Sequence, residues 1–223
     1  MVRARKNLGD RAVRHDAAYR QAKQDNFAAR AVYKLAEIDK KFRIFKPGQR
    51  VLDLGCWPGS WMQYAAEKIG SEGYLLGLDR EAVDCALPAW ATTLVADVWE
   101  WNPETHFHGD FPRFDVLLSD LAPKTTGDRH ADQWRSEELY LRALELAQHC
   151  LRPGGHFVGK VFQGPRFAQL AQETRQRFQA SKAFHPKATR ERSKEQYIIG
   201  RGLKSSTYLH QNSSIINQND NAS

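Results

Sequence analysis

The sequence predicts an α/β domain built on a doubly wound, largely parallel sheet. Short apolar runs alternate with helical stretches from about residue 50 to residue 200. A glycine-punctuated turn, Asp53-Leu54-Gly55-Cys56-Trp57-Pro58-Gly59-Ser60-Trp61, joins the first run to the helix that follows. Aspartates stand at the ends of successive runs, at Asp53, Asp79, Asp97 and Asp120. Strands alternating with helices make a sheet covered on both faces. Ligands of such sheets lie at the carboxyl ends of the strands, where these acids fall.

Each element has a local reason. Residues 1–26 are rich in Arg and Lys (Arg3, Arg5, Lys6, Arg11, Arg14, Arg20, Lys23), too polar for a core, and are expected to form a mobile arm or a surface helix. Phe27, Ala31, Leu35, Ile38 and Phe42 recur at helical spacing, with Lys34 beside the stripe, until Lys46-Pro47-Gly48 turns the chain. Strands are expected at Val51–Leu54, Tyr74–Leu78, Thr93–Ala96 and Phe114–Ser119. A helix is expected at Ser60–Ile69 and another at Ser136–Leu151, which Pro153-Gly154-Gly155 stops. His156–Phe162 reads as a strand, Phe167–Phe178 as a helix and Tyr197–Gly200 as part of a last strand. The Ser-, Asn- and Gln-rich residues 205–223 read as a disordered tail. The domain itself is therefore expected to span 27–204.

Charge is distributed unevenly. The net charge is +7, but residues 1–46 carry +8, 47–150 carry −9 and 151–204 carry +9. Two basic flanks around an acidic middle favour a polyanionic partner, most simply nucleic acid; solvated basic faces are the plainer alternative. No apolar run approaches the length of a membrane span, and the basic N-terminus lacks a signal-peptide core, so the cytoplasm is the expected location. Cys56, Cys85 and Cys150 fit neither a disulfide framework nor a zinc site, and His106 with His108 is an isolated pair, so no metal is expected.

The turn carries the first chemical signal. Its Asp-x-Gly-x-x-x-Gly spacing differs from the Gly-x-Gly-x-x-Gly that approaches a dinucleotide pyrophosphate. A sulfonium cofactor with an amino-acid tail has no phosphate and needs an open glycine turn beside a carboxylate, which points to S-adenosylmethionine. An ordinary strand-to-helix turn is the alternative. Asp79 is placed to accept the ribose hydroxyls of an adenosyl group, or is a strand-end turn former. Asp97 is placed near an adenine amino group. Asp120, in Ser119-Asp120-Leu121-Ala122-Pro123, ends a strand before a proline-stiffened loop, close to the transferable group. It lacks the aromatic platform that an amine acceptor uses, which leans toward an oxygen nucleophile. Lys160 interrupts an apolar strand; it either snorkels from an edge or aims at the cofactor cleft. Glu195, in the charged run Arg190–Tyr197, either belongs to a solvated loop or holds a catalytic lysine, with neighbouring basic residues gripping phosphates.

Together these motifs resemble the FtsJ family of ribosomal RNA 2′-O-ribose methyltransferases. The resemblance runs from Arg30-Ala31-Val32-Tyr33-Lys34-Leu35 through the Asp53–Trp61 turn, Ser119–Pro123 with Thr125-Thr126-Gly127 and Asp132-Gln133, Lys160–Gly164 and Arg190–Tyr197. It implies a Rossmann-like, seven-stranded fold of the class I S-adenosylmethionine-dependent methyltransferases. It implies a Lys34, Asp120, Lys160, Glu195 catalytic tetrad, with Glu195 orienting Lys160 or the ribose. It implies cofactor contacts at Gly59, Trp61, Asp79, Asp97 and Asp120. It also implies a monomer whose partner is ribosomal RNA of the large subunit, with a uridine of 23S rRNA as acceptor. A catalytically inactive RNA-binding protein, or an enzyme acting on transfer RNA or mRNA caps, would share much of this pattern. Two departures stand out: Cys56-Trp57 replaces two small residues of the turn, and Ser60 replaces a second glycine. Both leave Gly55 and Gly59 in place, so altered packing is expected there rather than lost binding.

Overall fold

The computed structural model describes residues 17–108, 113–189 and 193–205. Most of the basic arm, the tail beyond 205, and Arg190, Glu191 and Arg192 of the charged run lie outside the described residues. Helix α1 (Ala17–Gln24) precedes α2 (Val32–Phe42), and the two are followed by β1 (Arg50–Leu54), α3 (Ser60–Ile69), β2 (Tyr74–Asp79) and β3 (Ala91–Val95). Then come α4 (Pro103–His106), β4 (Phe114–Ser119), α5 (Arg129–Cys150), β5 (Leu151–Phe162), α6 (Phe167–Arg177), β6 (Phe178–Phe184) and β7 (Glu195–Leu203).

The strands form one seven-stranded sheet in the order β3-β2-β1-β4-β5-β7-β6. Pairing is parallel from β3 through β5, and β7 runs antiparallel to both β5 and β6. Strand order reverses between β1 and β4, which opens a crevice at their carboxyl ends. Side chains alternate between the two faces, as the period of two requires. Leu52, Leu76 and Leu117 join Tyr140 and Leu144 of α5 in one core; Val51, Leu75 and Val116 join Leu35 and Ile38 of α2 and Met62 of α3 in the other. The sheet thus has a buried layer on each side, and its polar chemistry is confined to the strand ends.

Several boundaries differ from the expectation. Strand β6 has only one fully buried side chain, Phe178, and its alternation is too polar to register as a strand. It is an edge strand supported on one side by β7. Helix α5 starts at Arg129 rather than Ser136, because Asp128 caps it by accepting from His130 N and Ala131 N. Strand β5 begins at Leu151, ahead of the Pro153-Gly154-Gly155 stop, with a register shift against β4 between Phe114 and Val116. The described end of the basic arm is tied to the domain: Asn26 O accepts from Gln63 Nε2 at 3.2 Å, and the Tyr33 hydroxyl donates to Asp25 at 2.6 Å. No helix of the described residues is long and apolar enough to cross a membrane.

Candidate functional site

The turn after β1 is held by close approach. Gly55 has φ 80° and Gly59 φ 107°, the left-handed region that favours glycine. A Cβ on Gly55 would lie 2.9 Å from Leu121 N, so the two strand-end loops meet here without side chains between them. Cys56 packs inward and is buried; a Cβ on Gly77 would meet its Sγ at 2.9 Å, so that glycine makes the room Cys56 uses. Trp57 instead points outward and is 55% exposed. Cys56 and Trp57 therefore stand on opposite sides of the turn, one buried and one exposed, between the left-handed Gly55 and Gly59.

Above the turn lies a cleft of about 870 Å³ whose lining includes Gly55, Trp57, Asp79, Asp97, Asp120 and Trp99. Asp79 accepts from Trp57 N at 2.9 Å through one oxygen and from Glu81 N at 3.0 Å through the other. Asp97 accepts from Trp99 N at 3.0 Å and faces Arg80 at 3.3 Å. Each carboxylate is fixed by backbone donors, with acceptor capacity left over for a ligand. Trp134 of α5 supplies a third largely exposed indole to this cleft. Nothing in the sequence pattern marked these tryptophans as neighbours, because they come from three separate loops or helices.

Asp53 lies fully buried beneath the cleft, and neither of its oxygens has a hydrogen-bond partner. Desolvation pushes its carboxyl well above the ordinary range, and the charges of Asp120 and Asp79 push it further the same way. The folded chain therefore retains a proton on Asp53 that the unfolded chain loses above the ordinary value of 3.8. The destabilisation is absent in acid and grows as pH rises through that window. Asp53→Asn removes this titration. Its gain in melting temperature over the parent is expected to widen from about pH 4 to about pH 8; thermal melts showing a pH-independent gain would contradict the assignment.

Asp120 is the centre of the polar network. Lys160 Nζ lies 3.0 Å from its Oδ1 and donates to its backbone carbonyl at 2.6 Å. The Tyr197 hydroxyl donates to the same Oδ1 at 2.8 Å. Lys160 and Tyr197 stand opposite each other in the β5–β7 register, which brings both to Asp120 at the end of β4. Lys160 is buried, so its ammonium depends on this partner. Burial raises the Tyr197 pKa well above its ordinary value, and the charges of Asp120 and Glu195 raise it further, so the phenol remains a donor. The sequence pattern treated Tyr197 only as the close of a motif; its partnership with Asp120 depends on a register no local signal reveals.

Lys34 reaches from α2 to Glu195 at the start of β7, with Nζ and Oε2 at 2.5 Å. Glu195 thus holds one of the two lysines expected at the site, Lys34; among the described residues it forms no ion pair with Lys160, which the resemblance offered, beside the ribose, as the group it orients. The register explains the difference. Glu195 lies opposite Phe162, two residues along from the Lys160–Tyr197 pair and on the same face of the sheet, so it is displaced along the strand toward Lys34 of α2. The four residues expected as a tetrad thus form two ion pairs, Lys160–Asp120 and Lys34–Glu195, with Tyr197 bonded to the first. Tyr197→Phe deletes one hydrogen bond to a charged acceptor and is expected to lower turnover by about three- to tenfold. Cofactor affinity measured by calorimetry should stay near the parental value, and an unchanged turnover would remove Tyr197 from the network.

Two expected cofactor residues do not line the cleft. Gly59 is buried behind the rim. The Trp61 indole is buried too, donating from Nε1 to Ala31 O at 2.9 Å and packing 5.8 Å from the Tyr197 ring centroid. A cofactor contact at Trp61 is left to its main chain, in the first turn of α3. That turn has Gly59 as its N-cap and no side-chain cap bond. His106 packs edge-on against Phe107, and no cluster of metal-ligating side chains occurs among the described residues.

The model of the FtsJ-like methyltransferase family matches residues 27–203. The ribosomal RNA large subunit methyltransferase E of Bdellovibrio bacteriovorus is 48% identical over 191 residues, spanning 85% of this chain and 97% of that protein. The protein of the same name from Desulfosudis oleivorans is 46% identical over 190 residues, spanning 85% of this chain and 91% of its own length. A solved structure described as a ribosomal RNA methyltransferase from Plasmodium falciparum superposes with TM-score 0.69 at 24% identity, covering 79% of this chain and 98% of that one. That likeness speaks for the fold alone. With the family's match extending over nearly the whole domain, and relatives this similar covering most of the sequence, the chain belongs to the FtsJ-like methyltransferase family.

Proposed function

We propose that the chain transfers the methyl group of S-adenosylmethionine to a ribose 2′-hydroxyl of large-subunit ribosomal RNA, with a uridine of 23S rRNA as acceptor. The observation that carries this reading is the Lys160–Asp120–Tyr197 network at the mouth of an acid-lined cleft. Relatives named for methylating large-subunit ribosomal RNA support the choice of acceptor.

The residues fit the proposed cofactor. Asp79 and Asp97 offer fixed acceptors for ribose hydroxyls and an adenine amino group. The uncapped N–H groups at the start of α3, including those of Ser60 and Trp61, suit a carboxylate tail. The charges of Asp120 and Asp79 both act on the buried Asp53, an environment a cationic ligand would relieve. When bound, S-adenosylmethionine supplies an activated methyl group on a sulfonium.

The remaining work falls to the chain. In its amine form Lys160 Nζ takes up the proton that leaves the 2′-hydroxyl as the oxygen attacks, and the ammonium so formed is held by Asp120 until it gives that proton to solvent. Asp120 fixes the lysine through two atoms, its carboxylate and its carbonyl, and Tyr197 fixes Asp120. Lys34 and Glu195 position the acceptor from the α2 side. Holding the reacting groups in line contributes most of the barrier lowering in such a site. Residues 27–204 form the catalytic unit in this reading, acting as a monomer in the cytoplasm. Mapping 2′-O-methyl positions in ribosomal RNA from cells with and without the protein tests the reading. One large-subunit position is expected to lose its methyl group; an unchanged map would overturn it.

A further inference from the structure

A second concavity lies on the same edge of the sheet. It measures about 620 Å³ and is built from Arg129, His130 and Gln133 of α5, Gln163 and Gly164 after β5, and Lys194 just before β7. Its floor is tied together. Gln163 N donates to Lys194 O at 2.8 Å, and Gln133 Nε2 donates to Gln163 O at 2.7 Å. A Cβ on Gly164 would lie 3.2 Å from Glu137 Oε1, so the backbone sits directly on α5.

Arg129, His130 and Lys194 stand exposed around this floor. Among the described residues none of the three side chains has an ion-pair or hydrogen-bond partner. The nearby carboxylates are already engaged: Asp128 caps α5, and Glu137 faces Arg166 at 3.5 Å. The concavity is therefore a preformed cationic surface whose charges have no partner among the described residues. Lys194 immediately precedes Glu195, and Gln163 follows Lys160 by three residues. At the rise of a strand that puts the concavity roughly 10 Å from the Lys160–Asp120 pair.

We propose that this concavity is a phosphate-binding subsite that holds one or two backbone phosphates of the acceptor RNA beside the nucleotide being methylated. The inference rests on the reading that ribose in RNA is the acceptor. The acidic cleft next door repels an anionic chain, whereas this concavity carries the opposite charge at the distance of a neighbouring nucleotide. Phosphate contacts of this kind fix the register of the strand and add salt-dependent affinity.

The test replaces Arg129 and Lys194 with Gln together, both in exposed positions that leave the core untouched. Binding of a large-subunit RNA transcript is followed by fluorescence anisotropy across a salt series, and turnover is measured on unmethylated large subunits. The slope of log affinity against log salt should become less negative by about 0.7 for each phosphate that the variant no longer neutralises. KM for the subunit should rise about tenfold or more, with kcat within about twofold and cofactor affinity by calorimetry unchanged. Arg201→Gln, an exposed charge loss toward the other end of β7, should change none of these. A parental salt slope and KM in the double variant, or an equal effect in the Arg201 variant, would overturn the subsite. Absence of methyl transfer by the parent to any ribose would overturn the proposed function instead, and the salt slope would still decide the subsite. A parent that binds no RNA overturns both.

Discussion

Lys160→Met is expected to reduce methyl transfer about a thousandfold or more while cofactor affinity stays within a few-fold of the parent. The asymmetry follows from where the ammonium sits. Lys160 is tied to the side chain and the carbonyl of Asp120, and it approaches the cleft from the β5 side, away from Asp79 and Asp97. Its loss removes the group proposed to take the departing proton and leaves the acids fixed by Trp57 N and Trp99 N untouched. It also leaves the Asp120 carboxylate facing Tyr197 alone, which costs stability of up to about 3 kcal/mol because Asp120 keeps partial solvent access. A second variant separates the two effects. Lys160→Met combined with Asp120→Asn removes the orphaned charge and should recover most of the urea midpoint without recovering turnover. Single-turnover transfer with labelled cofactor, beside urea unfolding of each variant, checks both statements. A rate that returns with stability would mean that the lysine supports the fold and not the chemistry.

Gly59→Ala is the second large effect, and it acts on the cofactor turn. The new Cβ would lie 2.3 Å from Cys85 Sγ and 2.8 Å from Val83 Cγ1, at a φ of +107°. Left-handed backbone costs a non-glycine residue about 1–2 kcal/mol, and overpacking adds about 1–3 kcal/mol more. Relief requires the Cys85 and Val83 side chains to shift or the start of α3 to move, and the cofactor's carboxylate is proposed to bind at that start. Cofactor affinity should fall about a hundredfold or more, together with a lowered melting temperature, as read by calorimetry and thermal melts. Adding Cys85→Ala removes the closest overlap and should recover part of the stability; the strain of the backbone stays. Full recovery of affinity in that double variant would show that the overlap alone mattered and that the left-handed turn did not.

The elements most legible in the sequence were those with a buried apolar face. Strands β1, β2, β4 and the apolar half of β5 announce themselves as short hydrophobic runs, and the acids at their ends mark the cleft in advance. Strand β6 escaped because an edge strand needs no apolar alternation when one neighbour supplies its ladder. The beginning of α5 escaped because its first turns are polar, and a cap at Asp128 rather than a hydrophobic stripe defines it. In the site, candidate residues could be named from the sequence, whereas their partnerships could not. The motif containing Glu195 suggested a hold on a catalytic lysine or on the ribose, and its place two residues along β7 from Tyr197 brings it to Lys34 rather than Lys160. Trp61 stood in the cofactor motif, yet its indole serves the packing between α2, α3 and Tyr197. Register and helix placement are long-range properties, and single motifs do not encode them.

Everything proposed for this site turns on whether the methyl group reaches a ribose oxygen. The decisive experiment incubates purified protein with isotopically labelled S-adenosylmethionine and unmethylated large ribosomal subunits, then analyses the digested RNA by nucleoside mass spectrometry. Label is expected in a 2′-O-methylated uridine, carried on the sugar fragment and lost in the Lys160→Met variant. Label on a base fragment, or none in RNA, would contradict ribose methylation by this site.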